Sequence, residues 1–325
     1  MNVRGSPVTP ISMVLLAGLS ALVVVMGIGR FAYTPILPLM QDGEGFSEAV
    51  AGLIAMANYA GYFLAALFSF VFTKRGVRTV WLRTHFMLNV LTTGAMGWVE
   101  SVPLWLIIRF LSGWSSGIVF VITSNMVLER LFFERRSQWL SGVIYSGVGL
   151  GIALSGMAVP LLSVREGWRG AWWGLMAFSA LAVPLIWYGL RDANLPLSRN
   201  ASEKPKMSVG PNSSPNEQHL GRPGDATQQL SGTTLYRWLV AAYGFEGLGY
   251  IVSGTFLVAA VVSWPGLESY GALSWVLVGL AAAPSTMIWG LLANRFGEPR
   301  ALLAAYLLQV AGVVMPVVFL HWSTV

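Results

Sequence analysis

Three charged side chains stand inside stretches of sequence otherwise built from apolar residues. Arg30 lies in MGIGRFAYTPILP, which follows the apolar run ISMVLLAGLSALVVV; Arg109 opens RFLSGWSSG; Glu246 precedes the glycines of GLGY. A charge at the centre of a membrane helix costs about 2.5–3.5 kcal/mol on insertion scales, so each must face a cavity or a partner. A guanidinium there suits an anionic substrate group or a proton-carrying carboxylate, or else it is a structural cation paired to nearby carbonyls. A desolvated carboxylate has a raised pKa and could load and release a proton near neutral pH. Glu246 is therefore a candidate proton carrier, or alternatively a carboxylate close to the inner interface. Tyr33, Asn58, Tyr59, Tyr145, Tyr250 and Gln309 add polar groups at the same depth, able to line a cavity or to hydrogen-bond within the packing.

Around Arg30 the sequence changes character. Gly27 and Gly29 carry no side chain, so a neighbouring backbone or a ligand can approach. Pro35 and Pro38 are expected to disrupt the helix beyond the arginine and free carbonyl groups. Gly113 and Gly117, four residues apart after Arg109, form a close-packing face. Gly147, Gly149 and Gly151 mimic a dinucleotide loop, but no strand precedes them, and small-residue helix packing accounts for them better. His85, His219 and His321 are far apart in sequence and lack carboxylates at ligand spacing, so neither a metal site nor a cofactor is expected. No nucleophile–base pattern appears, and an enzyme is not expected.

The elements that hold these residues follow from composition. Of 325 residues, 55% are hydrophobic and 10% charged, with a mean hydropathy of +0.64. Soluble domains carry about 25% charged residues, so the chain is an all-α polytopic membrane protein. The net charge of +6 sits in loops between apolar runs, which excludes a nucleic-acid partner and leaves the lipid bilayer. Apolar runs of roughly 20 residues or more occur at Ile11–Leu39, Val50–Phe72, Val80–Val99, Val102–Leu128, Trp139–Leu162, Ala171–Leu190, Leu235–Trp264, Tyr270–Ala293 and Ala301–His321. Nine transmembrane helices are expected. Residues 191–234, rich in Pro, Ser, Asn and Gly, are too polar to pack and read as a disordered linker. Three domains follow: a six-helix bundle over 1–190, the linker over 191–234, and a three-helix partial bundle over 235–325.

Lys74, Arg75, Arg78 and Arg83, then Arg130, Arg135 and Arg136, then the linker cations, then Arg295 and Arg300 all fall on one side if the N-terminus is inside. That positive-inside bias places the N-terminus in the cytoplasm. Trp98, Trp105, Trp139, Trp168 and Trp264 lie near the ends of runs, where interfacial aromatics belong.

The chain also repeats. Gly27-Ile28-Gly29-Arg30-Phe31 meets Gly247-Leu248-Gly249-Tyr250-Ile251 at an offset of 220, and the loops around Gly76 and Gly297 match at 221. Repeated halves around a central site characterise many secondary transporters. The stretches GIGRFAYTPILPLM and AGLIAMANYAGYFLAAL, with FLVAAV and ALLAAYLLQVAGVVMP further on, resemble the YbfB-like branch of the major facilitator superfamily, across the whole chain. RFLSGWSSG resembles that superfamily's fourth-helix motif, linked to proton coupling. The loop signature, which usually begins with Asp, has Thr73 and Asn294 here. The resemblance implies two six-helix domains and alternating access to a central cavity. It implies transport of a small organic solute coupled to protons, by a monomer in a bacterial inner membrane. Against that pattern the chain reads as truncated after the ninth helix, and the rival expectation is an inactive transporter fragment.

Overall fold

The computed structural model describes residues 9–134, 139–191 and 223–323, and every regular element among them is helical. Helix α1 spans Ile11–Leu22 and runs directly into a π-helix, Val23–Ile28. The wider turns are made by Gly29 N–H donating to the Val24 carbonyl at 2.7 Å and Phe31 N–H to Met26 at 3.1 Å, five residues back rather than four. The chain then turns through Gly29–Ala32 before α2, Tyr33–Glu44. The break thus comes before the prolines, not after them. Pro35 falls in the first turn of α2, where its missing N–H has no partner to lose, and Pro38 lies inside the same helix.

Helix α3, Glu48–Leu67, starts at Ser47, whose hydroxyl accepts from Val50 N–H at 3.4 Å. A short α4, Ser69–Phe72, leads to α5, Arg78–Ala95. Helix α6 covers Val102–Phe133, and α7 covers Trp139–Leu181. Within α7, Glu166 and Gly167 leave helical geometry, Gly167 at φ +56°, so the fifth and sixth apolar runs form two arms of one element. A short α8, Val183–Gly189, follows. Helices α9, Pro223–Val262, α10, Gly271–Phe296, and α11, Glu298–Ser323, complete the described chain. Residues 192–222 of the expected linker lie outside the described residues. Its remainder, from Pro223, is the start of α9, a proline being well suited to a first helical position.

Seven of these segments are long and apolar enough to cross a membrane: Ile11–Glu44, Glu48–Leu67, Val102–Phe133, Leu140–Gly189, Arg237–Val262, Glu268–Phe296 and Glu298–Met315. The expected nine differ in two places. The fifth and sixth runs merge in Leu140–Gly189, and α5 is diluted by Arg83, Thr84, His85, Asn89, Thr92 and Thr93.

The chain divides into two compact units, one formed by 7–192 with 253–325, the other by 1–6 with 193–252. In the first, helices approach backbone to backbone. A Cβ on Gly113 would overlap the Asn58 carbonyl and one on Gly61 the Phe110 carbonyl, so α3 and α6 pack without intervening side chains. Gly149 and Gly279 do the same for α7 against α10, meeting the main chain of Ala283 and Ala153. Trp275 Nε1–H donates to Ser155 Oγ at 3.2 Å and the Thr286 hydroxyl to the Gly142 carbonyl at 3.1 Å across that contact. Gly27, in the π-helix, meets Gly151 of α7 in the same manner. Leu161, Val164, Leu181 and Phe132 point outward, as lipid-facing side chains do. The second unit's described part is α9 up to Val252.

Candidate functional site

The break in the first span is the centre of a polar cluster. A regular helix would bond the Gly29 and Arg30 carbonyls to the amides of residues 33 and 34. Thr34 N–H instead donates to Phe31 at 3.2 Å, which frees the Arg30 carbonyl. Arg109 fills the gap from α6: Nη1 donates to the Gly29 carbonyl at 2.9 Å and Nη2 to the Arg30 carbonyl at 3.1 Å. The Ser112 hydroxyl, one turn on, also donates to Gly29 at 3.0 Å. Arg109 is 2% exposed, with its guanidinium 5.0 Å from the Tyr33 ring centroid. Two planar donors on one fork match two consecutive carbonyls of an unwound turn. Arg109 is therefore a brace for the broken helix, the structural role weighed above for Arg30.

Neighbouring groups reinforce the brace. Asn58 Nδ2 donates to the Arg109 carbonyl at 3.0 Å, and the Tyr33 hydroxyl donates to the Ala51 carbonyl at 3.1 Å, both buried. Asn89, fully buried on α5, donates to the Ser112 carbonyl and to Ser115 Oγ, each at 3.1 Å, while its amide oxygen lies against Gly29. A side chain at Gly29 would displace Asn89.

Arg30 is bound differently. Its guanidinium carbon lies 4.2 Å from the Tyr62 ring centroid, 4.5 Å from Tyr59 and 5.5 Å from Phe31. It is half-buried, and among the described residues it has no ion-pair partner and donates no hydrogen bond; its Nε is buried and unpartnered. Beside it the Tyr59 hydroxyl is 3.5 Å from Thr255 Oγ1, and Thr34 Oγ1 donates to the Gly254 carbonyl at 2.9 Å. Thr34 and Gly254 are 220 residues apart, the offset of the internal repeat, so two corresponding positions touch.

Arg30, Arg109, Tyr33, Asn58 and Tyr59 are thus brought together. Gln309 is half-buried on α11, and Glu246 and Tyr250 belong to the second unit, on α9. Tyr145 packs its ring against Phe120, 5.9 Å between centroids. Sequence reasoning missed Tyr62, Asn89, Ser112, Thr34 and Thr255. The spacing of Tyr59 and Tyr62, three residues apart on one helical face, is the signal that could have found Tyr62. The glycines of α7 are packing residues, and among the described residues no group of His, Asp or Glu could hold a metal ion.

Near the C-terminal end of α6, Glu129 takes Arg75 and Arg78 together, Arg78 Nη1 at 2.6 Å, and Arg78 also donates to Asn125 at 3.0 Å. At the opposite end Arg169 pairs with Glu100, with Glu44 at 3.7 Å. These clusters tie helix ends around the central one.

No curated protein matches the chain, and no solved structure does. The family model described as "Uncharacterised MFS-type transporter YbfB" matches residues 22–321, from the π-helix through α11. The chain is accordingly a multi-pass helical membrane protein that belongs to the YbfB-type family of major facilitator transporters.

Proposed function

We propose that this protein is a secondary active transporter that moves a small organic solute by alternating access, coupled to protons. Arg30 is its substrate contact. The observation that carries the proposal is the contrast between the two arginines of the first-span break. Arg109 donates to main-chain carbonyls on both Nη atoms, whereas Arg30 offers a charged fork that no oxygen among the described residues receives. An intramembrane charge held half-buried and unsatisfied is a functional group by default. The touching repeat-mates Thr34 and Gly254 support alternating access, since repeated halves that rock about a shared axis meet there.

Glu246, a carboxylate within the apolar helix α9, is the candidate proton carrier. Tyr33, Asn58, Tyr59, Tyr250 and Gln309 are further substrate or proton-coupling candidates, polar groups on the apolar spans. The protein works as a monomer in a bacterial inner membrane with its N-terminus in the cytoplasm. The basic loops around Arg75 and Arg78 and around Arg295 and Arg300 support that orientation.

The test is uptake into proteoliposomes under an imposed proton gradient. Arg30→Ala should insert and elute as the parent protein does yet lose saturable uptake. Unchanged uptake by that variant removes Arg30 from the mechanism. Glu246→Gln should retain solute exchange and lose gradient-driven accumulation; unaltered accumulation removes Glu246.

A further inference from the structure

The surroundings of Arg30 narrow the kind of solute. We infer that the Arg30 site takes a small monocarboxylate whose remaining part is apolar or aromatic, its two carboxylate oxygens meeting the guanidinium edge. The inference rests on the proposal that Arg30 contacts substrate.

Four observations carry it. First, Tyr62, Tyr59 and Phe31 surround the guanidinium at 4.2, 4.5 and 5.5 Å. Their ring faces attract the positive charge but provide no oxygen in the plane of its N–H groups. Its N–H groups meet no acceptor among the described residues, and Nε is buried without one. A guanidinium edge presents parallel donors at the spacing of a carboxylate's two oxygens. Second, only one fork is open, because both Nη atoms of Arg109 already donate to the Gly29 and Arg30 carbonyls. A phosphate or sulfate has further anionic oxygens that would fall against the negative faces of the rings. Third, a cationic solute would meet two guanidinium charges, and no carboxylate pairs with Arg30 among the described residues to offset them. Fourth, the same rings present apolar area to whatever the carboxylate carries, which favours a hydrocarbon or aryl remainder over a hydroxylated one.

The experiment is equilibrium binding of radiolabelled benzoate to the purified full chain in detergent micelles, with inorganic phosphate and benzylamine as competitors. Radiolabelled phosphate and benzylamine are measured in parallel. Saturable benzoate binding that neither competitor displaces is expected. Arg30→Gln should weaken it by roughly tenfold or more, and Arg30→Lys, which keeps the charge without the fork, by several-fold. Tyr62→Leu keeps the arginine and removes a ring; it should weaken benzoate several-fold, and it serves as the second arm should Arg30→Gln elute as aggregate. Absence of benzoate binding up to millimolar concentration overturns the inference. Phosphate or benzylamine binding that Arg30→Gln abolishes overturns the carboxylate class and leaves Arg30 as a substrate contact. Benzoate binding that survives both Arg30→Gln and Tyr62→Leu overturns the site itself.

Discussion

Replacing each of the two arginines by lysine separates their roles, because the charge is kept and only geometry changes. In Arg109→Lys the burial penalty of a cation is not relieved. The ammonium is shorter, more strongly hydrated and a single point, so it reaches one of the two carbonyls now held at 2.9 and 3.1 Å. A hydrogen bond between membrane helices contributes about 0.6–1.7 kcal/mol. The Arg30 carbonyl, left without a donor, adds about 1–3 kcal/mol, while Gly29 keeps Ser112. The loss should therefore be about 2–4 kcal/mol. Arg30→Lys forfeits no hydrogen bond within the protein, and an ammonium still sits over aromatic rings, so its effect on stability should stay within about 1 kcal/mol. Unfolding in mixed micelles with increasing dodecyl sulfate, followed by tryptophan fluorescence, reads both values. Arg109→Lys matching the parent protein within about 0.5 kcal/mol, or Arg30→Lys proving the more damaging of the two, refutes the assignment of brace and substrate contact.

Three further outcomes follow from the packing. Gly279→Ala puts a methyl group against the main chain of Ala153 and should lower stability by about 1–3 kcal/mol in the same assay; a neutral result means α7 and α10 are not in backbone contact. Glu129→Gln removes the counter-charge of Arg75 and of the buried Arg78, while Asn125 remains. With Glu129 itself partly exposed, a loss of about 1–3 kcal/mol is expected, and an unchanged unfolding midpoint contradicts the pairing. Cysteines at Thr34 and Gly254 should cross-link on mild oxidation and halt uptake until reduced; full uptake by the cross-linked protein argues against separation of that contact during transport.

Much of this was legible in the sequence, and the reason is energetic. Charges such as Arg30 and Arg109 in apolar runs announce themselves because their burial is expensive, and the family match bears out the resemblance seen in GIGRFAYTPILPLM. The roles within the cluster were not legible. Nothing in VVVMGI distinguishes a π-helix from an α-helix, so the sequence points to Pro35 and Pro38 for the break, whereas the chain turns at Gly29–Ala32. That Arg109 braces and Arg30 is left open depends on contacts 79 and 80 residues apart in the chain, which no local pattern encodes. Likewise the polar face of α5, with Asn89 reaching Ser112 and Ser115, looks in sequence like a weakly apolar span. Residue types declared that chemistry exists here; pairing across helices decided which residue performs it.

The π-helix at Val23–Ile28 has an evolutionary consequence. A five-residue bonding step amounts to one surplus residue threaded into an otherwise ordinary helix, as though by a single-codon insertion. Removing one residue, for instance Val25, would let the helix close to its usual pitch and turn everything downstream by about 100°. Arg30 would then swing away from Tyr59 and Tyr62, and Arg109 would lose its two carbonyls. The placement of Arg30 and the brace from Arg109 thus depend together on the length of this six-residue segment.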